Sequence, residues 1–300
     1  MMEPRLRRHE YGFLELVDRP SEDELAQYYA QTYFQTERAN YRSSYPPEEL
    51  EVIRLRIALR AARARALRGD DRPGSLLDVG CGEGFVLAHF HAEGWDVAGI
   101  DFSRAGVEAM NPEMSAYVEQ ADVFHALDRL ISGSDRYDLV WLGNVLEHVL
   151  DPVGLLMVLR NLVAPGGLLV ATVPNDGSRY QENLLETGDI PERFWIAAPD
   201  HMSYFTADAL RTTADNTGWE CLDIQADFPI DLFLAHEGSN YVRDRAKGPA
   251  AHRARLRLEG IIGEAGLEAA SAFYSALAGV GLGRNLTAYL RPTLQTAEPA

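Results

Sequence analysis

The sequence predicts an α/β protein built on a parallel sheet wound with helices, and three observations predict it. Between residue 75 and about residue 175, short apolar runs alternate with segments whose apolar residues recur at helical spacing. The first run leads into a turn with glycines at alternate positions, Gly80, Gly82 and Gly84. The chain of 300 residues is 46% hydrophobic, enough to bury a substantial core.

Taken in order, "SLLDVG" reads as the first strand and "GFVLAHFHAEG" as a helix stopped by Gly94. "DVAGIDF" is the second strand, followed by Ser103 as the cap of a helix through "RAGVEAM". "YDLVWLGN" is a further buried strand. The next helix opens with Asp151 as its cap and Pro152 in its first turn, and "APGG" is the turn back into the strand "LLVATVP". A capped helix over "TADALRTTADNTGWE", the strand "CLDIQADF" and a late strand "RNLTAYLR" complete the sheet. Residues 1–70 lie before this pattern and form an N-terminal cap, with a tyrosine-rich stretch and an arginine-rich helix whose charge predicts a solvated face. The core runs over 71–228, a helical insertion over 229–281 separates the last two strands, and 282–300 hold the last strand and a tail.

Charge and cysteine usage remove whole classes of function. A net charge of −17 presents a repulsive field to nucleic acid. Cys81 and Cys221, the two cysteines, cannot build a disulfide framework or a thiolate zinc site. The opening "MMEPRLRRHEYGFLELVD" has no apolar core of signal-peptide length and no run approaches a membrane span, so the expected setting is the cytoplasm, away from membranes.

In open α/β sheets the ligand sits where strands end and helices begin, which places the three glycines at the binding site. A dinucleotide loop would need a third glycine where Phe85 stands. The spacing G-x-G-x-G after Asp78 instead resembles the first motif of class I S-adenosylmethionine-dependent methyltransferases, small-molecule branch. "GIDFS", with Asp101 placed 21 residues after Gly80, "QADVFH", "NVLEHVLDP" and "PGGLLVATVPN" follow in that family's order. The resemblance implies a Rossmann-like seven-stranded methyltransferase sheet and S-adenosylmethionine as cofactor. It implies that Asp101 accepts from the ribose hydroxyls, that Asp122 and Val123 meet the adenine, and that Gly80, Cys81, Gly82, Gly84, Phe102, Gly143 and Asn144 complete the cofactor site. Asp78 is expected to order the loop through backbone amides. "PDHMSYFT" resembles a segment of methyltransferases acting on sugars, quinone precursors and specialised metabolites.

The expected reaction is metal-independent methylation of a small polar acceptor, foremost at oxygen, with nitrogen or carbon as alternatives. His201 and His148 are the candidate bases, each with a structural role as the competing reading. No metal is expected, since the fourth strand ends "WLGNVLEHV" without an aspartate pair. Tyr33 and Tyr45, among the N-terminal tyrosines, and Asp231, His236 and Tyr241 of the insertion are expected to wall the acceptor pocket; the competing reading of the insertion is a helical pair for a homodimer. A nicotinamide oxidoreductase and an inactive binding protein are the readings from other classes.

Overall fold

The computed structural model describes residues 5–21, 24 and 44–293. The strands are β1 (Leu6–Arg8), β2 (Leu14–Leu16), β3 (Ser75–Val79), β4 (Asp96–Asp101), β5 (Val118–Gln120), β6 (Tyr137–Gly143), β7 (Val163–Pro174), β8 (Ser203–Tyr204), β9 (Trp219–Ala226) and β10 (Asn285–Pro292). The helices are α1 (Pro47–Arg68), α2 (Phe85–Ala92), α3 (Ala105–Met110), α4 (Val123–Ser132), α5 (Pro152–Leu159), α6 (Arg179–Glu186), α7 (Ala207–Asn216), α8 (Gly248–Glu264) and α9 (Leu267–Gly279). Seven strands form one sheet in the order β5-β4-β3-β6-β7-β10-β9, parallel except for β10, which runs antiparallel to both neighbours. The chain winds outward from β3 through β4 to β5, then restarts beside β3 with β6. That reversal puts a crevice at the carboxyl ends of β3 and β6.

The central strands are buried on both faces, which is why they read as continuous apolar runs rather than alternating ones. Leu77, Val79, Val140, Leu142, Leu169 and Ala171 pack on one side with helices α4, α5 and α7. Leu76, Leu139, Trp141, Leu168 and Val170 pack on the other with α1 and α2. Asp78 falls on this second side, between Leu77 and Val79, with only 2% of its surface exposed.

Four local expectations need correction. The arginine-rich helix α1 is not a solvated face: Val52, Ile57, Leu59, Ala61 and Ala64 are buried, and four of its arginines reach carboxylates, Arg56 to Glu259, Arg63 to Asp223, Arg65 to Glu93 and Arg68 to Asp138. "APGG" is not a separate turn. It is absorbed into β7 as a bulge, with Tyr137 opposite Val163 but Leu139 opposite Leu168 and Gly166 at φ +81°. Helix α3 begins two residues beyond Ser103, whose Oγ accepts from Ala105 N at 3.1 Å. The N-terminal region contributes a hairpin as well as α1: β1 and β2 pair with each other, and β2 pairs with β8, giving a second, three-stranded sheet.

That small sheet positions the site. Leu14 lies opposite Tyr204, and Leu16 N donates to Met202 O at 3.0 Å, so the hairpin grips the segment that carries His201. Phe13, 1% exposed, stacks near Phe205 with ring centroids 4.8 Å apart and ties the hairpin into the main core.

Candidate active site

The loop after β3 turns where only glycine turns without strain. Gly80 and Gly84 both sit at φ +74°, and a Cβ on them would come within 2.4 Å of Val145 and 2.8 Å of Val107 respectively. Gly80 N donates to Ile100 O at 2.8 Å, which moors the loop to β4. The second anchor is Asp101. Its Oδ2 accepts from Gly82 N at 2.8 Å and its Oδ1 from Ser103 N at 3.0 Å. The role of ordering the loop through amides therefore falls to Asp101, and no hydrogen bond of that kind reaches Asp78 among the described residues. Burial pushes the Asp78 carboxyl up to about 8, and the neighbouring Asp101 adds to the effect. Asp101 is raised by burial too, against the pull of its amide donors.

A cavity of about 1060 Å3 opens above this loop. Asp78, Gly80, Cys81, Gly82, Asp101, Phe102, Asp122, Val123, Gly143, Asn144, His148 and His201 all line it. Gly84 does not; it serves as the turn into α2. Cys81 is 8% exposed, and burial drives its thiol upward, so it packs rather than reacts. Asp122 caps α4, accepting from His125 N at 3.1 Å.

Sequence reasoning missed several lining residues. Phe124 and His125 start α4 beside Val123, and Phe124 with Phe102 leaves an exposed aromatic face there. Arg56, Arg60 and Ile57 enter from α1. Arg60 has no hydrogen bond or ion pair among the described residues, and burial lowers the pKa of its guanidinium. A lone cation on the wall of a cavity fits an anionic ligand group. Within "RIALRAARARALRG" nothing set Arg60 apart from its neighbours; its solitude is a property of the packing.

The residues expected to wall the acceptor pocket fare differently. Asp231 is 5% exposed, and its carboxylate is occupied by Gln181 Nε2 at 2.9 Å and Tyr241 OH at 3.0 Å, so Asp231 and Tyr241 do not line the cavity. His236 bonds the amide of Gly238 in an exposed turn and does not line it either. Tyr45 donates to Glu83, itself a lining residue, at 2.8 Å. Tyr33 lies outside the described residues.

At the carboxyl end of β6, Asn144 takes φ +55° and Glu147 and His148 follow in a short turn. His148 Nδ1 donates to Asp200 O at 2.9 Å, and its ring meets that of His201 edge-on at 4.8 Å. Burial pulls His148 down, but the bond to Asp200 and the charges of Glu147 and Asp200 outweigh it and hold the imidazole near 9. Glu147, 1% exposed, is pushed up by burial. Ligand atoms of Glu147, His148 and His201 lie within 4.8 Å of one another, a cluster able to hold a metal ion that chain spacing did not reveal.

The fold and the cavity meet in a known family: the methyltransferase domain matches residues 51–224. The chain belongs to that family. It is a class I S-adenosylmethionine-dependent methyltransferase, which sets the nicotinamide reading aside. The ubiquinone biosynthesis O-methyltransferase of Aeromonas salmonicida (strain A449) is 26% identical over 146 residues, 48% of this chain and 61% of that one, so the match spans less than two thirds of the relative's length. Among solved structures, a SAM dependent methyltransferase from Archaeoglobus fulgidus superposes with a TM-score of 0.50 at 20% identity, covering 81% of this chain and 93% of that one. The [4+2]-cyclase SpnF superposes with a TM-score of 0.51 at 18% identity, covering 93% and 99%. At these identities the likeness concerns the fold, and a cyclase among the neighbours shows that this fold does not fix the reaction.

The residues of this methyltransferase fit S-adenosylmethionine. Arg60 suits its carboxylate, the buried acid Asp78 suits its ammonium, and the Asp122–Phe124 helix start with Phe102 offers an apolar slot with a polar rim for adenine. No helix is long and apolar enough to cross a membrane among the described residues.

Proposed function

We propose that this methyltransferase O-methylates a small polar acceptor, such as a sugar or a specialised metabolite, without a metal ion. The observation that carries the reading is the single cavity of about 1060 Å3 that joins the glycine loop to His148 and His201, leaving room for an acceptor beside the cofactor. Bound S-adenosylmethionine supplies an electrophilic methyl group on a sulfonium. The acceptor oxygen forms the new C–O bond as the S–C bond breaks, sulfur keeps the electron pair as a thioether, and the hydroxyl proton passes to a base. Of the two histidines, His148 is tied through Nδ1 to the Asp200 carbonyl and raised to about 9 by its acidic neighbours, which favours His201 as the base. Positioning supplies most of the rate, on the order of 7–11 kcal/mol in well-oriented systems.

Metal independence is supported by the sequence, whose fourth strand runs out into "WLGNVLEHV" without the aspartate pair that a magnesium site would use. The name of the O-methyltransferase relative supports oxygen as the methylated atom.

The test is a screen of sugars and specialised metabolites with isotopically labelled methyl donor, with and without EDTA. The expected result is label on oxygen, undiminished by EDTA. Label on nitrogen or carbon would overturn the O-methyl assignment. Turnover lost in EDTA and restored by one divalent ion would instead give Glu147, His148 and His201 to a metal.

A further inference from the structure

Behind His201 stands a group of charges that cofactor binding leaves unused. Asp176, just past the end of β7, is 1% exposed, and its Oδ1 accepts from Arg284 Nη1 at 2.5 Å. Its Oδ2 has no hydrogen-bond partner, and neither has Nδ1 of His201, 3.7 Å away. Asp176 is the only carboxylate within 4.0 Å of a His201 ring nitrogen among the described residues. A buried acceptor and a buried nitrogen able to donate thus face each other across a gap slightly too long for a hydrogen bond. Each left alone costs free energy, and a small ring rotation satisfies both; such bonds commonly tighten only when substrate is present.

The backbone around His201 allows little else to move. His201 N donates to Ala197 O at 2.8 Å, His201 O accepts from Tyr204 OH at 2.9 Å, and Met202 N donates to Glu147 O at 2.8 Å.

Resting on the reading of His201 as base, we propose that Asp176, held by Arg284, is a positioning residue that fixes the proton of His201 on Nδ1 and so leaves Nε2 free to take the acceptor's proton. A guanidinium only donates, so Arg284 fixes Asp176 through Oδ1 and leaves Oδ2 as the acceptor that faces Nδ1 of His201. Arg284 also feels the charge of Asp231, whose carboxylate is locked by Gln181 and Tyr241. The insertion therefore supports the base from behind without touching the acceptor.

Long-range 1H–15N correlation spectra of protein labelled in histidine nitrogen read the tautomer directly, with no acceptor needed. Neutral His201 in the native protein should carry its proton on Nδ1. In Asp176→Asn the amide can donate to Nδ1, so the proton should move to Nε2. With an acceptor from the screen, kcat should fall about 100-fold or more while KM and the cofactor Kd change less than threefold. A native His201 protonated on Nε2, a tautomer unmoved by the substitution, or an unchanged kcat would each overturn the proposal. If Asp176→Asn does not fold, the native spectrum alone decides. A screen that finds no acceptor would count against the base reading and leave the tautomer result standing on its own.

Discussion

Asp78 holds a proton that its unfolded counterpart would have lost. Its folded pKa is about 8, against an ordinary aspartate value near 4 in the unfolded chain. Between those values the folded state binds more protons, so stability falls as pH rises from about 4 to about 8 and levels off above. Asp78→Asn should remove that slope and raise Tm at pH 8, yet weaken S-adenosylmethionine about tenfold or more by removing the partner of its ammonium. Melting curves at several pH values with calorimetry check both halves; an unchanged slope would show that the proton sits elsewhere. Arg60 makes the converse case. It pairs with nothing in the described structure, so Arg60→Met should cost no stability and should weaken the cofactor about tenfold to a hundredfold, as loss of charged hydrogen bonds to a carboxylate would. Equal affinity in the variant would remove Arg60 from the site. Asp78 was legible as part of a motif, while its protonation was not, because burial on the α1 side of the sheet is a fact of packing. Arg60 was not legible at all, since an arginine-rich helix does not announce which guanidinium will lack a partner.

The elements that bind cofactor were the most legible, because β3, β4 and β6 are continuous apolar runs whose ends coincide with glycine or acidic residues. The elements that hold the acceptor side were the least. The hairpin Leu6–Leu16 has strands of only three residues each and gains its stability from β8, more than half the chain away, so no local pattern betrays it. Its anchor is Phe13, packed between His9 at 4.3 Å and Phe205 at 4.8 Å. Phe13→Ala should cost about 3 kcal/mol through the cavity it leaves, and should loosen the segment of His201. The expected signature is a raised acceptor KM with cofactor affinity intact, measured by steady-state kinetics and calorimetry. If acceptor kinetics stay native in a variant that has lost that stability, the hairpin is a brace and no part of the site. The insertion shows the opposite error: its Asp231 and Tyr241 were read as pocket residues from their chemistry, but their partners turn out to be each other and Gln181.

For the molecule as a whole, one sheet hosts two regions of different origin in the chain. The cofactor half is assembled mostly from residues close in sequence, Asp78 to Phe124, with Arg60 of α1 added to them, while the acceptor half needs the hairpin, the turn after β6, the His201 segment and Arg284 together. Local motifs carry the first kind of information and tertiary contacts the second, which is why the family could be named from residues 76–175 and the base could not be chosen between His148 and His201. That division has a consequence in time. During synthesis β2 ends at residue 16, and its partner β8 begins only at residue 203, 187 residues later (203 − 16). At about 5–20 residues per second the ribosome leaves the hairpin waiting on the order of ten seconds or longer, one edge bare, after the loop for S-adenosylmethionine has already emerged. The nascent chain can therefore meet its cofactor before it owns a base, and the hazard of mispairing is greatest in that interval.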